Sequence, residues 1–507
     1  MSPPGSRFAP LLRALLFVAA LGCAALVGLA FLRSPAIGAL LALGLGLCGL
    51  ALRYPDVATY AVLFLLYSNL PGVGVAFHGV PKPLAAAFPL LLAVPLVRDL
   101  LVRRQPLVLT PALFLLVLLL VVEALGAAFS IDPGKSFESV TTFAVEGVAL
   151  YLLMTNVLRS KQVLRGATWT LVAAGIVMSV VPLFQQFTGT FERNYGGLAQ
   201  VDGLGFETTE GGEEGAPSER QARLAGPIGE KNRYAQVMLV LVPIALSRVF
   251  RARGLLKLFA LGASASIALG FVLAFSRGGA IGMLCMLGVA IGLRLIDMRK
   301  ALFAAAGMGL LLMAMPQYWK RLETIATTVQ VLESDSSAAA ADGATRRRIT
   351  EMMAAVRVFV DHPVIGVGPG LFKEYSEEYG NQDALRRIEG GRRAHSLYLE
   401  LAAETGGLGL GLVLATLLVT FVGLAGARRL NLEADPELAD LATTYLLALV
   451  CYCSTGVFLH LSYMRYFYVV LALGGAVAHV GYEAHRARTP RLTPEVRGAP
   501  AVAGGSA

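Results

Sequence analysis

Charged side chains are scarce in this sequence. Asp, Glu, Lys and Arg make up 15% of the 507 residues, whereas 56% of the residues are hydrophobic and the mean hydropathy is +0.65. Soluble domains usually contain about 25% charged and about 45–50% apolar residues. The composition therefore excludes an ordinary soluble domain and indicates a chain that folds in lipid.

Cysteines are also few, and none of them lies in a long polar loop. Cys23, Cys48, Cys285, Cys451 and Cys453 all fall in or beside apolar segments. This placement argues against a disulfide framework and a cysteine-based metal site. A two-His metal spacing, a DxD pair in an outer loop and a serine-nucleophile motif are absent as well. We therefore expect neither a metal nor another cofactor.

Continuous apolar runs of about 17–25 residues dominate the chain, which is the length that a helix needs to cross a bilayer. They show no period-2 alternation, so a β-barrel is not expected. The sequence predicts an all-α polytopic bundle of about 12–14 transmembrane helices with a large, partly helical periplasmic loop. The predicted spans are 14–32, 36–52, 56–70, 84–97, 107–129, 137–158, 163–187, 233–250, 256–275, 279–295, 301–316, 404–427, 441–459 and 466–482.

The N-terminal apolar run has two interpretations. It follows Arg7 and Arg13, as a signal peptide would, and it contains Ala20-Leu21-Gly22-Cys23, which resembles a lipoprotein cleavage site. The run is long, however, and further spans follow it. We therefore expect a retained first helix.

Basic residues alternate between the two sides of the predicted map. The short outside loops contain only Arg33, Lys82, Lys135, Arg277 and Arg465, whereas the inside segments are rich in Lys and Arg. This bias predicts an inner-membrane protein with both termini in the cytoplasm, and it explains the net charge of +9 without a nucleic-acid partner. The predicted regions are N-terminal helices 1–187, a periplasmic loop 188–231, central helices 232–316, a large periplasmic loop 317–403, C-terminal helices 404–482 and a disordered cytoplasmic tail 483–507.

The second long loop contains a helical pattern over about 345–361. Apolar residues recur there at i, i+3, i+4, i+7, i+10 and i+11, which is one face of a helix. The residue before a proline avoids the helical region, so His362-Pro363 should end this helix. We expect the helix to lie on the bundle or at the membrane surface.

Three arginines, Arg346, Arg347 and Arg348, open this helix. Cations at a helix N-terminus are unfavourable by about 0.3–1 kcal/mol each. The arrangement suits a bound anion, because a helix N-terminus with arginines is a good phosphate site. A solvated basic turn is the alternative.

His395 closes the same loop directly after Arg392 and Arg393. Neighbouring cations disfavour the charged imidazole, so His395 could serve as a general base. The alternative is an interfacial histidine that anchors the following span. The glycine-rich segment 366–370 lacks a preceding strand and a Lys-Ser/Thr pair, so we predict a tight turn there instead of a nucleotide site.

Together these segments resemble the O-antigen ligase and polysaccharide polymerase superfamily. The resemblance lies in Arg223 with Asn232, in Ser276-Arg277-Gly278-Gly279, in Arg348 leading to 361–370, and in the segment 395–406 that begins His395-Ser396-Leu397-Tyr398-Leu399-Glu400. The motifs cover about residues 223–412. Ser396 stands where the family usually has Asn. In the family a Trp often follows the Arg of the amphipathic helix, and Met352 takes that place here.

The resemblance implies an inverting, metal-independent glycosyltransferase. Its donor would be a glycan on undecaprenyl diphosphate at the periplasmic face, and its acceptor a sugar hydroxyl on a growing chain or on lipid A-core. Membrane lipids would be the other partners. Arg223 and Arg348 would stabilise the diphosphate with support from Arg277, and His395 would deprotonate or orient the acceptor hydroxyl. We also expect Arg346, Arg347, Arg392 and Arg393 to bind substrate.

Two further questions stay open at this point. Polymerase and ligase share the same site chemistry, and the long second loop favours an exopolysaccharide-type polymerase. A transporter or flippase of lipid-linked oligosaccharides is the alternative to an enzyme, and it would place charges near the bilayer midplane. Glu123 and Glu146 lie inside predicted spans, although pairing with an outer-face arginine explains them equally.

Overall fold

The computed structural model describes residues 49–204, 222–295, 343–382, 389–460 and 464–488, with a few isolated positions between them. Nine helices in these ranges are long and apolar enough to cross a membrane, and a bent pair near the start would make a tenth. The predicted all-α membrane bundle is therefore confirmed. The predicted spans 14–32, 36–52 and 301–316 fall wholly or largely outside the described residues.

The described helices follow the remaining predicted spans. In chain order they are α1 Pro55–Ser68, α2 Leu70–Phe77, α3 Lys82–Ala87, α4 Ala93–Leu101, α5 Pro111–Ala128, α6 Pro133–Phe143, α7 Leu150–Val157, α8 Lys161–Thr188, α9 Lys231–Arg251, α10 Leu255–Leu273, α11 Arg277–Gly292, α12 Gly343–Asp361, α13 Phe372–Gly380, α14 Leu397–Asn431, α15 Pro436–Gly456 and α16 Met464–Arg488. A 3-10 turn at Phe88–Leu92 joins α3 to α4, and a π-helical turn at Ala144–Ala149 joins α6 to α7.

A small β-ribbon interrupts the all-α architecture. Strands β1 (Gln200–Leu204) and β2 (Ala222–Gly226) pair antiparallel within the predicted loop 188–231. Strand β2 is buried along its length and contacts α8, α9 and α10. The sequence analysis missed this ribbon because Ala-Arg-Leu-Ala-Gly lacks the β-branched and aromatic residues that mark strands.

The two ends of the bundle carry different groups. At one end, Lys161 of α8 lies 2.7 Å from Asp435, and Arg165 lies 2.6 Å from Glu437 at the start of α15. These ion pairs bring the N-termini of α8 and α15 together. The β-ribbon, the N-terminus of α9 and the N-terminus of α14 lie at the other end, which we call the site end.

Helix α12 begins two residues before the predicted start and has the predicted end, Asp361, directly before His362-Pro363. Its contacts with the protein come from small residues. Ala354, Ala355 and Val358 are buried in a second, smaller core with Val367, Leu371 and Phe372. Met353, Val356 and Val360 are instead exposed, whereas Ile349, Met352 and Phe359 are half-buried.

The glycine-rich segment 366–370 packs on a kink in α14, as a tight turn would. Gly406 has φ +65° at the kink, and the amide of Gly407 donates to the Pro363 carbonyl at 2.8 Å. Gly366 has φ +69°, and a Cβ there would lie 2.3 Å from the carbonyl carbon of Glu404. Only glycine fits this backbone-to-backbone contact.

We predict that Gly366→Ala lowers the stability of the protein. The left-handed backbone alone costs a residue with a Cβ about 1–2 kcal/mol, and the clash with α14 adds to it. Thermal unfolding in detergent measures the loss. Gly411→Ala in the same helix is the matched control, because a Cβ at Gly411 meets nothing within 4 Å. Equal midpoints for the two variants would show that the contact is not tight.

Candidate active site

His395 has a strained backbone at the entry to α14. Its φ is +48°, a conformation that costs a non-glycine residue about 1–2 kcal/mol. Its two neighbours impose this turn. The amide of Ala394 donates to the Glu400 carboxylate at 3.2 Å, and Ser396 is extended so that its hydroxyl caps α14 by accepting from Leu399. Serine and asparagine both serve as N-caps, so the departure at Ser396 preserves this role.

The imidazole of His395 lies between an acid and a second histidine. Its Nε2 is 3.4 Å from Oε2 of Glu351, a residue of α12 whose side chain is 1% exposed. Its ring meets the edge of the His460 ring at a centroid distance of 5.5 Å. The His395 side chain itself is 34% exposed, so one part of the ring remains open to a substrate.

Burial and three cations keep His395 neutral. Burial lowers its pKa first, and the charges of Arg348, Arg233 and Arg392 lower it further, to about 4. The imidazole is therefore unprotonated at neutral pH and can accept a proton. Arg348 and Arg392, two of the expected site residues, thus lie close enough to His395 to lower its pKa.

Arg233 is a central residue that the sequence analysis missed. It is 1% exposed at the start of α9, where its guanidinium donates to Oε1 of Gln236 at 2.7 Å and to the carbonyl of His460. Burial lowers the pKa of His460 well below its ordinary value, and Arg233 lowers it further. An arginine at the first position of the predicted apolar span 233–250 was the available signal, because such charges are rare in membrane helices.

Arg223 is held by the backbone of a neighbouring turn. From strand β2, its Nε donates to the Ala274 carbonyl at 3.1 Å, and its Nη2 donates to the Phe275 carbonyl at 2.9 Å. Its Nη2 also lies 3.4 Å from Oδ1 of Asn232. These contacts fix the turn between α10 and α11.

Asn232 connects this turn to His395 and His460, the two histidines whose rings meet. Its Oδ1 also accepts from the Ser276 hydroxyl at 3.2 Å, and Ser276 caps α11, whose first residue is the half-buried Arg277. The next residue along α9 is Arg233, which contacts His460. Two sets of side chains therefore meet at the N-terminus of α9. Arg223, Ser276 and Arg277 lie around Asn232, and the pair of His395 and His460 lies beside Arg233.

The remaining predicted arginines differ in their surroundings. Arg393 donates to Oε1 of Glu400 at 2.9 Å, whereas the Arg392 side chain is exposed and its backbone amide donates to Ser376. The side chains of Arg346 and Arg347 lie outside the described residues, although both belong to α12.

Two further acids, Glu123 and Glu404, lie inside spanning helices. Glu123 is buried in α5 and interacts electrostatically with Glu404 of α14. Within the part of the chain that the structure describes, no three His, Cys, Asp or Glu side chains form a group that could hold a metal ion.

Residues 261–414 match the family model described as O-antigen ligase. This segment, which makes up less than a third of the chain, is therefore similar to the O-antigen ligase family. The resemblance inferred from the motifs is thereby confirmed. The matched segment includes Arg277, Arg348 and His395, whereas Arg233 precedes it and His460 follows it. No curated protein matches the chain.

We predict that Arg223→Lys destabilises the protein. A lysine cannot reproduce the fork that spans two carbonyls, and a buried acceptor without a donor costs about 1–3 kcal/mol. Thermal unfolding of the purified protein tests this expectation. Arg253→Lys, at an exposed arginine of the opposite end, is the matched control and should unfold like the unmodified protein. A normal midpoint for Arg223→Lys would remove its structural role.

Proposed function

We propose that this protein is a membrane glycosyltransferase that moves a glycan from undecaprenyl diphosphate to an acceptor sugar hydroxyl. The reaction takes place on the periplasmic face of the inner membrane, with both termini in the cytoplasm. One observation carries the proposal: a neutral imidazole, His395, lies beside a buried carboxylate and among three arginines at one end of a membrane bundle.

The arginines suit a diphosphate leaving group. As the bond between the sugar and the diphosphate breaks, negative charge grows on phosphate oxygens. Preorganised donors stabilise such charge most strongly in a site that excludes water. Arg348 and Arg392 act on the diphosphate, Arg277 supports them, and Arg346 and Arg347 extend the same positive N-terminus of α12. Arg223, which the resemblance would place at the diphosphate, is assigned instead to the turn between α10 and α11, because its guanidinium donates to the carbonyls of Ala274 and Phe275.

His395 takes the proton of the acceptor hydroxyl. The oxygen attacks the anomeric carbon on the face opposite the diphosphate, so the configuration inverts, and the proton passes to the imidazole. Glu351 contacts Nε2 and holds the ring in place. Donor binding assists this step, because the diphosphate offsets the cations that lower the pKa of His395 in the free protein.

The acceptor distinguishes the two enzymes of this superfamily. We favour a polymerase, in which the acceptor is a growing lipid-linked chain, over a ligase, in which it is lipid A-core. Reconstitution in proteoliposomes with a lipid-linked repeat unit, with and without lipid A-core, separates them. A ladder of products indicates a polymerase, and a single core-dependent transfer indicates a ligase.

We predict that His395→Ala reduces this transfer by about 10²–10⁴-fold, because the base that accepts the hydroxyl proton is lost. Arg348→Lys should reduce it by about 10²–10³-fold, since lysine keeps the charge but loses the bidentate fork. Both are measured as initial rates in proteoliposomes that contain equal amounts of protein.

His485→Ala, near the C-terminus of α16 at the opposite end, is the control and should keep full activity. All assays run in EDTA, because we assign the stabilisation of charge to arginines. Wild-type rates from His395→Ala would remove this residue from the mechanism. Activity that returns only with Mg²⁺ would contradict the role of the arginines.

The pH dependence tests the protonation state of His395. A base must be unprotonated, so kcat/KM should fall only as the pH drops through about 4, the pKa of His395 in the free protein. The acid limb of kcat should lie at higher pH, because the bound diphosphate offsets the charges of Arg348 and Arg392. A kcat/KM limb near the ordinary histidine value of about 6.5 would contradict the burial of a neutral imidazole.

A further inference from the structure

Helices α12 and α13 at the site end expose opposite kinds of side chain. The exposed residues of α13 are all charged: Lys373, Glu374, Glu377 and Glu378. From residue 348 onward, the exposed residues of α12 are the apolar Met353, Val356 and Val360, together with Asp361 at the end of the helix, whose carboxylate accepts a hydrogen bond from Tyr379 of α13. Contact with water accounts for the charged surface of α13. The surface of α12 requires an apolar neighbour.

The exposed residues of α12 form one stripe. Met353, Val356 and Val360 are spaced at i, i+3 and i+7, so they lie on the same side of the helix. Val360 is 65% exposed, and Val364 extends the stripe beyond the end of the helix. The side that contacts the protein carries Ala354 and Ala355, as described above.

The stripe continues into the outer surface of α14. The amide of Leu408 donates to the carbonyl of Val364 at 3.3 Å, so these two exposed residues are neighbours. Leu408 begins the exposed apolar side of this spanning helix. Farther along that side lie Leu414, Leu418 and Val422.

The chain just after α12, at Val364 and Ile365, also lies against the end of α5. A Cβ at Gly126 would be 3.2 Å from the carbonyl oxygen of Ile365. Helix α5 presents its own exposed apolar side, which carries Phe114, Val121 and Leu125 and continues into Phe129. Spanning helices turn such sides to lipid, so the stripe of α12 is continuous with two lipid-facing surfaces.

We propose that α12 lies in the plane of the membrane, with its stripe among the acyl chains of bilayer phospholipids in the leaflet at the site end. Amphipathic helices of this kind bury their apolar face about 5–10 Å into the boundary between headgroups and acyl chains. The continuity with α5 and α14 favours this lipid surface over a protein partner.

This position matters for the candidate active site. Arg348 lies twelve residues before Val360, which is about 18 Å along the helix. The lipid contact would hold Arg348 and Glu351 at the depth of the headgroups, where a lipid-linked diphosphate lies. This consequence rests on the proposed function, whereas the lipid contact itself does not.

Photolabelling of the full chain in nanodiscs tests the contact. The phosphatidylcholine carries a diazirine in its acyl chain, and mass spectrometry maps the adducts. We expect adducts in 353–364 as strong as those in 114–125, which is the positive control, and none in 373–378. Adducts in 114–125 without any in 353–364 would overturn the proposal. The readout needs neither donor nor turnover, so it is separate from the transfer assay.

A variant with Val356→Asp and Val360→Asp provides a second test. Both positions are exposed, so the core is unchanged, and we expect loss of adducts in 353–364 with retention in 114–125. The matched control changes Glu377→Gln and Glu378→Gln in α13 and should keep the wild-type pattern. Undiminished labelling of the double Asp variant would contradict the proposal. Labelling of the unmodified chain that undecaprenyl phosphate displaces from 353–364 alone would also overturn it, by assigning the stripe to a polyprenyl tail.

Discussion

Buried and half-buried guanidinium groups at the end of a membrane bundle must find acceptors, and this requirement organises the candidate active site. Arg223 uses the two carbonyls at the end of α10, Arg233 uses Gln236 and the carbonyl of His460, and Arg393 uses Glu400. Each contact satisfies a cation and also fixes a backbone segment. A site built in this way is positive before any substrate arrives, and it suits an anionic ligand.

The same electrostatic field sets the state of the histidine. Cations near a half-buried imidazole favour its neutral form, which is the form that a base requires. The strained backbone of His395 is maintained by Glu400 and by the cap at Ser396, both of which lie in the segment that matches the O-antigen ligase family model. Charge, strain and capping therefore serve one geometry.

Helix α12 connects this geometry to the bilayer. Arg348 and Glu351 lie near the histidine, the small residues of the helix lie on the protein, and Met353, Val356 and Val360 face away from it. A helix whose outer side faces water would instead pack its large apolar residues on the protein and leave its small residues exposed. With lipid on the outer side, one short helix sets both the depth and the charge of the site.

Local signals explain which expectations succeeded. The spans follow from runs of apolar residues, and the end of α12 follows from Pro363, because proline constrains its immediate neighbour. Arg348 and His395 stood out because charge and sequence motifs mark them. The β-ribbon carried no comparable signal, and Glu351 looked like an ordinary polar residue of an amphipathic helix.

By itself, the sequence determined that this protein folds in lipid, where its helices approximately begin and end, and the class of its candidate site. Each of these depends on residues close together in the chain. Tertiary structure decided which arginines surround the imidazole and which hold the backbone. Asn232 and Arg233 are adjacent in sequence, yet one binds the turn that carries Ser276 and the other binds the loop that carries His460. Those partners lie 44 and 227 residues away, and only the packing of distant helices brings them together.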